Sequence, residues 1–207
     1  MKMIKALSAG FCLLMLLAET PLMAQATSKD YLVLAAGDTL YGHVDPIDER
    51  GPGFKYHKKI RFTGPGGKKK KYKREDVSAF RVKNENYEGF WLSQSSQKIL
   101  LLNPRYDIDP RDGEKHFLRV VSKGELSHYL LEWWEQGESL LMSMDLLKKE
   151  EDFFLIRVTQ GLLGLKRKVL ISYLQDCQQL TERVEQKQLN TVQEVVDFYD
   201  ENCLAKD

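Results

Sequence analysis

The stretch KKIRFTGPGGKKKKYK, from Lys58 to Lys73, predicts a β-hairpin and therefore an antiparallel beginning to the fold. Ile60 and Phe62 alternate with basic residues, which is the period of a strand with one buried face. The segment PGG supplies a turn, because proline fixes φ and glycine tolerates left-handed backbone. Alternation in the second arm places Tyr72 on the apolar side and turns the neighbouring lysines toward water.

Strand-like segments continue outward from this hairpin over residues 27–160. On the amino-terminal side, YLVLAAGDTLYGHV is typical of two short strands around the turn pair Gly37-Asp38. On the carboxyl side lie five short β-prone runs separated by Gly, Pro, Asn and Asp: VSAFRV, QKILLLN, HFLRVVSKG, ELSHYLLEWW and DFFLIRV. ESLLMSMDLLKKEED fits a hairpin or a short helix, and we favour strands with a charged turn at 148–152.

Residues 161–207 change to a helical pattern. Apolar residues recur at spacings of three and four from Leu165 to Val184 and again from Val192 to Cys203. Thr191 and Glu194 have the spacing of a capping box at the start of the second helix. The predicted fold class is α+β: an antiparallel β-sheet or partly open β-barrel over residues 27–160, followed by a C-terminal helix pair packed on it in a single compact domain.

The first 26 residues have the features of a secretory signal peptide. Lys2 and Lys5 precede an uncharged apolar run from Ala6 to Ala18, and the small residues Ala24-Gln25-Ala26 follow. The apolar run is too short for a permanent membrane span, and no other stretch is apolar enough. We therefore expect an exported protein, periplasmic or extracellular, without a transmembrane segment after cleavage. Residues 27–207 contain equal numbers of basic and acidic side chains, which argues against a general polyanion binder with a basic surface all round, and no nucleic acid is expected as a partner.

Two cysteines remain after cleavage, and we predict that they form a disulfide. Cys177 and Cys203 both fall on the apolar sides of their predicted helices, so packing of those helices can bring the thiols together. An even cysteine count in an exported chain favours a bond. The alternative is two buried free thiols that act as small hydrophobic side chains.

Three parts of the chain carry a resemblance. The segments AAGDTLYGHV, KIRFTGPGGKKKKYKREDVSAFRV and LISYLQDCQQL…VVDFYDENC together resemble a group of uncharacterised secreted proteins of the Bacteroidota. The likeness covers most of residues 27–207. It implies an exported bacterial protein with early strands and late helices, and it brings with it no known activity and no known catalytic residues.

A basic stretch without any carboxylate surrounds the predicted hairpin. Ten Lys or Arg residues lie between Gly51 and Arg74. One interpretation is a surface that contacts polyanions, formed by Lys58, Lys59, Arg61, Lys68, Lys69, Lys70, Lys71, Lys73 and Arg74, with Tyr72, Trp133 and Trp134 as candidate stacking residues. The other is a solvated hairpin whose lysines keep its edge from pairing, or are neutralised by the acidic helical region after Asp176.

Recognisable catalytic and metal-binding motifs are absent from the sequence. The four histidines are scattered, and neither CxxC nor HExxH occurs. Asp107, Asp109, Asp112 and Glu114 do not have EF-hand spacing, and Ser95 with Lys98 lacks the partner motifs of serine acylating enzymes. We therefore expect no cofactor, no metal and a non-enzymatic binding or structural role in the bacterial cell envelope, with another envelope protein or an acidic glycan as partner. The alternative is a periplasmic or secreted hydrolase whose site assembles only in the fold.

Overall fold

The computed structural model describes residues 30–45, 59–93, 104–134, 141–159 and 164–203. The strands are β1 (Tyr31–Leu34), β2 (Thr39–Tyr41), β3 (His43–Asp45), β4 (Lys59–Thr63), β5 (Lys69–Lys73), β6 (Val77–Val82), β7 (Glu85–Ser93), β8 (Arg105–Asp107), β9 (Gly113–Ser122), β10 (Leu126–Trp134), β11 (Leu141–Lys149) and β12 (Phe154–Arg157). A 3-10 turn (Arg74–Asp76) joins β5 to β6, and the helices are α1 (Arg167–Tyr173), α2 (Gln178–Glu185) and α3 (Val192–Asn202).

Nine strands form one antiparallel sheet in the order β2-β1-β6-β7-β9-β10-β11-β12-β8. A single bridge between Leu92 at the end of β7 and Ile108 just after β8 brings two distant strands of the sheet together. The sheet therefore curls strongly, although its ladder is not closed. The inner face of the curl holds a compact apolar cluster of Leu92, Tyr106, Leu118, Tyr129, Met144, Leu146 and Leu155.

A small second sheet, in the order β3-β4-β5, covers the amino-terminal part of the large one. Alternation in β4 buries Ile60 and Phe62, as the hairpin pattern predicts. They pack against Leu32, Phe80 and their neighbours in a second apolar cluster. The Phe80 and Tyr87 rings stack at 4.8 Å between centroids within it. Burial of these side chains fixes which face of the hairpin remains in water.

The helices cover a different part of the large sheet. Leu126 of β10 and Leu147 of β11 point into a third cluster with Leu170, Leu180 and Val195 from the three helices. The capping box at Thr191 and Glu194 forms as the sequence predicts. Helix α2 ends in a Schellman turn, in which Lys187 adopts a left-handed φ of 58° and the amide of Gln188 donates to the carbonyl of Arg183.

The α+β class and the antiparallel sheet are confirmed, but the predicted helix pair is in fact three helices. The continuous periodicity from Leu165 to Val184 is interrupted at Leu174–Cys177, and Cys177 becomes the residue preceding α2. Tertiary contacts hold this break: the Asp176 carboxylate accepts hydrogen bonds from Tyr199 and Lys149. For the segment ESLLMSMDLLKKEED, the favoured prediction of a strand with a charged turn is confirmed: its described residues form β11 and the turn that leads to β12.

The structure joins Cys177 to Cys203 as a disulfide with a Cα–Cα distance of 5.4 Å. The bond connects the start of α2 to the end of α3 and so links two of the three helices that cover the sheet. The predicted signal peptide, Lys58, His57, Ser95 and Lys98 lie outside the described residues. Within the described part of the chain, no helix is long and apolar enough to cross a membrane.

Candidate functional site

The water-facing side of the β4–β5 hairpin carries a two-row array of cations. Cross-strand pairing sets Lys59 opposite Lys73 and Arg61 opposite Lys71, while Lys69 is opposite Thr63. We call the five basic residues Lys59, Arg61, Lys69, Lys71 and Lys73 the cationic ladder, and each of them is exposed. Residues directly opposite on antiparallel strands share one face of the sheet, so all five side chains leave from the same surface.

No described carboxylate lies within ion-pair distance of any ladder residue. Asp45 of β3 is directly opposite Arg61, but its Oδ1 lies 3.3 Å from Nε2 of His43 instead. Like charges directly opposite each other destabilise a sheet by roughly 0.2–1 kcal/mol per pair. The two like-charge pairs therefore oppose folding, and burial of Ile60 and Phe62 offsets their repulsion.

The remaining predicted polyanion-binding residues do not join the ladder. The Lys70 ammonium lies on the other face, 4.6 Å from the Tyr72 ring centroid. Lys68 is exposed in the turn before β5. Arg74 contacts Glu114 at 2.7 Å and Glu75 at 3.0 Å. Burial by itself would lower the pKa of Arg74, but its hydrogen bonds to those carboxylates raise it above the ordinary value.

Two of the three candidate stacking residues, Tyr72 and Trp133, are partly enclosed. Tyr72 is half-buried and packs edge-on against Phe62, with ring centroids 6.4 Å apart. Trp133 is half-buried against the inner cluster of the curled sheet. Their proposed role in stacking stays a prediction, as does that of Trp134.

The described part of the acidic helical region after Asp176 does not contact the ladder. Its two helices, α2 and α3, pack with α1 over the Leu126 and Leu147 side of the sheet, whereas the hairpin packs over Leu32 and Phe80. Asp176 pairs with Lys149 of β11. Among the described residues, no ion pair joins the region after Asp176 to the hairpin. The basic hairpin and the acidic helices thus cover different parts of the large sheet.

A second polar constellation lies on β9, β10 and β11, on the sheet face that the helices cover. His128 Nε2 lies 2.8 Å from Asp145 Oδ1, and the Thr159 hydroxyl donates to Asp145 Oδ2 at 2.8 Å. Burial alone would raise the pKa of Asp145, but these hydrogen bonds outweigh it and lower the pKa below its ordinary value. An ionised carboxylate only accepts, so Nε2 of His128 carries a proton.

Ser122 is the cross-strand partner of His128 at a β-bulge. Ser122 Oγ and His128 Nδ1 are both buried, and neither has a hydrogen-bond partner among the described residues. Ser122, His128 and Asp145 thus lie on three neighbouring strands, a juxtaposition that sequence reasoning could not reveal. It differs from the triad of serine hydrolases, because Ser122 Oγ makes no hydrogen bond to His128 and Asp145 contacts Nε2 instead of Nδ1. Ser122 Oγ is also shielded from solvent in this conformation.

Two other histidines are described. His43 is exposed and lies 3.1 Å from Asp30 Oδ2 and 3.3 Å from Asp45 Oδ1. His116 points to the opposite face of the sheet from His128. Arg119 of β9 is paired with Leu130 of β10 and shares the face of His128, and side chains alternate between faces along β9, so His116 lies on the other side. The carboxylates of Asp107, Asp109 and Asp112 each contact a neighbouring Arg or Ser. The described residues contain no group of three His, Cys, Asp or Glu side chains arranged to hold a metal ion.

A polar groove of about 450 Å³ borders the disulfide. It is lined by Asp176, Cys177, Gln178, Gln179, Glu182, Asn202 and Cys203. Gln178 and Glu182 hydrogen-bond to each other, and Asp176 is held by Lys149 and Tyr199. The groove therefore presents few free polar groups to a ligand.

Comparison with known proteins places the chain in no family. No protein-family model, curated protein or solved structure matches it. A functional inference consequently depends on the chemistry of the ladder and of the constellation around His128.

Proposed function

We propose that this protein is an exported, non-enzymatic component of the bacterial cell envelope that binds polyanions through the cationic ladder. The observation that carries the proposal is the direct opposition of Lys59 to Lys73 and of Arg61 to Lys71, with no described carboxylate in ion-pair contact with any of these four residues. Such pairs oppose folding, and a bound polyanion would turn their repulsion into attraction. Edge protection of β5 explains lysines on β5, but it does not explain cations on the inner strand β4.

Export is the second part of the proposal. The leader pattern in residues 1–26 and the disulfide between Cys177 and Cys203 support it, because disulfides persist mainly in oxidising compartments. In such a compartment, acidic glycans and lipid headgroups are available polyanions, whereas nucleic acid is not an expected partner. The leader thus supports the location, and the location in turn favours acidic glycans or lipid headgroups over nucleic acid as the polyanion.

The test is salt-dependent retention of residues 27–207 on immobilised heparin. The ladder variant combines Lys59→Gln, Lys71→Gln and Lys73→Gln. The matched control combines Lys83→Gln, Lys168→Gln and Lys187→Gln, which removes the same charge from exposed positions outside the hairpin. We expect the ladder variant to elute at much lower salt than the control. Binding of the wild type releases counterions from heparin, and each basic contact that is removed reduces the number released. Equal elution of the two variants would refute the proposed site.

A second candidate function is a hydrolase centred on Ser122, His128 and Asp145. The specific observation in its favour is the alignment of a serine, a histidine and a carboxylate across three neighbouring strands. Burial of Ser122 Oγ argues against it. A fluorophosphonate probe separates the two candidates: the hydrolase requires covalent labelling that Ser122→Ala abolishes, and the binding protein requires no labelling at Ser122.

A further inference from the structure

The ligand class of the cationic ladder can be narrowed by the ladder's shape, on the premise that the proposed function is correct. We propose that the ladder binds a linear acidic polysaccharide that lies along the strand direction across both β4 and β5. Three features of the hairpin lead to this assignment: its repeated charge, its lack of exposed apolar side chains and its use of two strands.

The cations form a repeating array, not a single pocket. Alternate residues of a strand are about 7 Å apart, and directly opposite Cβ atoms are about 5 Å apart. Lys69, Lys71 and Lys73 make one row, and Lys59 with Arg61 makes the other. From Lys69 to Lys73, four residue steps along β5, the array extends over about 14 Å. An isolated phosphate or carboxylate engages one pair of cations, whereas a polymer with one charge per unit engages the whole array.

The hairpin surface has no large apolar side chain that could enter a bilayer. The exposed large apolar residues in the described part of the chain are Tyr41, Val121 and Phe153, and none lies on β4 or β5. Ile60 and Phe62 point inward. Stable attachment to a lipid surface generally combines basic residues with inserted apolar groups. A soluble polymer therefore matches this surface better than a membrane does.

The use of both strands also disfavours an acidic peptide that extends the sheet. A peptide added as a fourth strand would pair with the free edge of β5 and gain its affinity from main-chain hydrogen bonds. Lys59 and Arg61 lie on β4, one strand further in, and would contribute little to such pairing. A polysaccharide that lies on the face, along the strands, can contact both rows and reduce the repulsion in both like-charge pairs.

The experiment measures the binding of size-defined oligogalacturonates, which carry one carboxylate per sugar, to the wild type, the ladder variant and the matched control. We expect affinity to rise steeply with length up to about four or five sugars, the length of the array, and only slightly beyond it. For a fragment that fills the array at about 150 mM salt, the ladder variant should bind about 20- to 100-fold more weakly than wild type, and the control within about threefold.

Vesicles of anionic phospholipid and a poly-glutamate peptide are the competing probes. Ladder-dependent binding to either of these without binding to oligogalacturonate would overturn the ligand class and leave the proposed polyanion function intact. Digalacturonate binding as tightly as a decamer would overturn the linear arrangement. If no probe distinguishes the ladder variant from the control, or if none binds, both the ligand class and the proposed function fail.

Discussion

Reversal of one charge on the ladder should make the protein more stable while it weakens ligand binding. Lys71 is directly opposite Arg61 and lies between Lys69 and Lys73 along its own strand. Lys71→Glu removes a like-charge pair and creates an opposite-charge pair at the same position. Each of these two changes is worth roughly 0.2–1 kcal/mol, so the free energy of unfolding should rise by roughly 0.4–2 kcal/mol. For a chain of this size, that corresponds to a Tm increase of about 1–8 °C.

The assay is thermal unfolding at about 20 mM and about 0.5 M salt, where the Debye lengths are on the order of 20 Å and 4 Å. The gain should be largest at low salt and should shrink at high salt, because both strands expose these side chains. Lys71→Gln, which only removes repulsion, should give about half of the gain. In an Arg61→Gln background, the difference between Glu and Gln at position 71 should fall.

A lower Tm for Lys71→Glu at low salt would refute the reasoning. It would mean that the Lys71 ammonium stabilises the folded hairpin, and the ladder would then need no ligand to explain it. Heparin retention of the same variant supplies the second measurement, because opposite signs for stability and binding are the signature of a functional charge.

Three other perturbations test the rest of the fold. Replacement of both Cys177 and Cys203 by Ser should lower the free energy of unfolding by about 3 kcal/mol, because the bond closes a loop with a sequence separation of 26; an unchanged urea midpoint would contradict this. Lys187→Gly should raise the free energy of unfolding by about 0.5–1 kcal/mol, since glycine adopts the left-handed conformation of the Schellman turn without steric cost. A lower free energy of unfolding in urea would contradict that account. Asp145→Asn should destabilise the protein at neutral pH. The lowered pKa of Asp145 means that its contribution is present above the unfolded-state pKa of about 3.9 and is lost as pH falls through the folded-state value, so the deficit should shrink under acid; a deficit that grows under acid would exclude this assignment.

Local patterns in the sequence predicted the parts of the fold that depend on near neighbours. The alternation around Ile60 and Phe62, the turn at Gly37 and the capping box at Thr191 each involve residues within a few positions of one another. Hydrophobic periodicity and capping chemistry act at that range, so they can be read directly. The same alternation placed Lys71 and Lys73 in water, whereas the separation of Lys70 from the ladder became clear only in the structure.

Long-range contacts decided what the sequence could not show. The periodicity of residues 165–184 contains no helix breaker, and the break before Cys177 follows from contacts of Asp176 with β11 and α3. The alignment of Ser122 with His128 depends on a β-bulge and on strand register, neither of which has a sequence signal here. Likewise, the separation of the acidic helices from the hairpin follows from which strands each layer covers.

The most direct test of the central claim is a lysine-acetylation footprint of residues 27–207 with and without polygalacturonate, analysed by peptide mass spectrometry. The account predicts that Lys59, Lys69, Lys71 and Lys73 become protected by the polymer, while exposed lysines elsewhere, such as Lys83, Lys168 and Lys187, react at unchanged rates. Uniform protection of all seven lysines, or protection confined to those outside the hairpin, would contradict it.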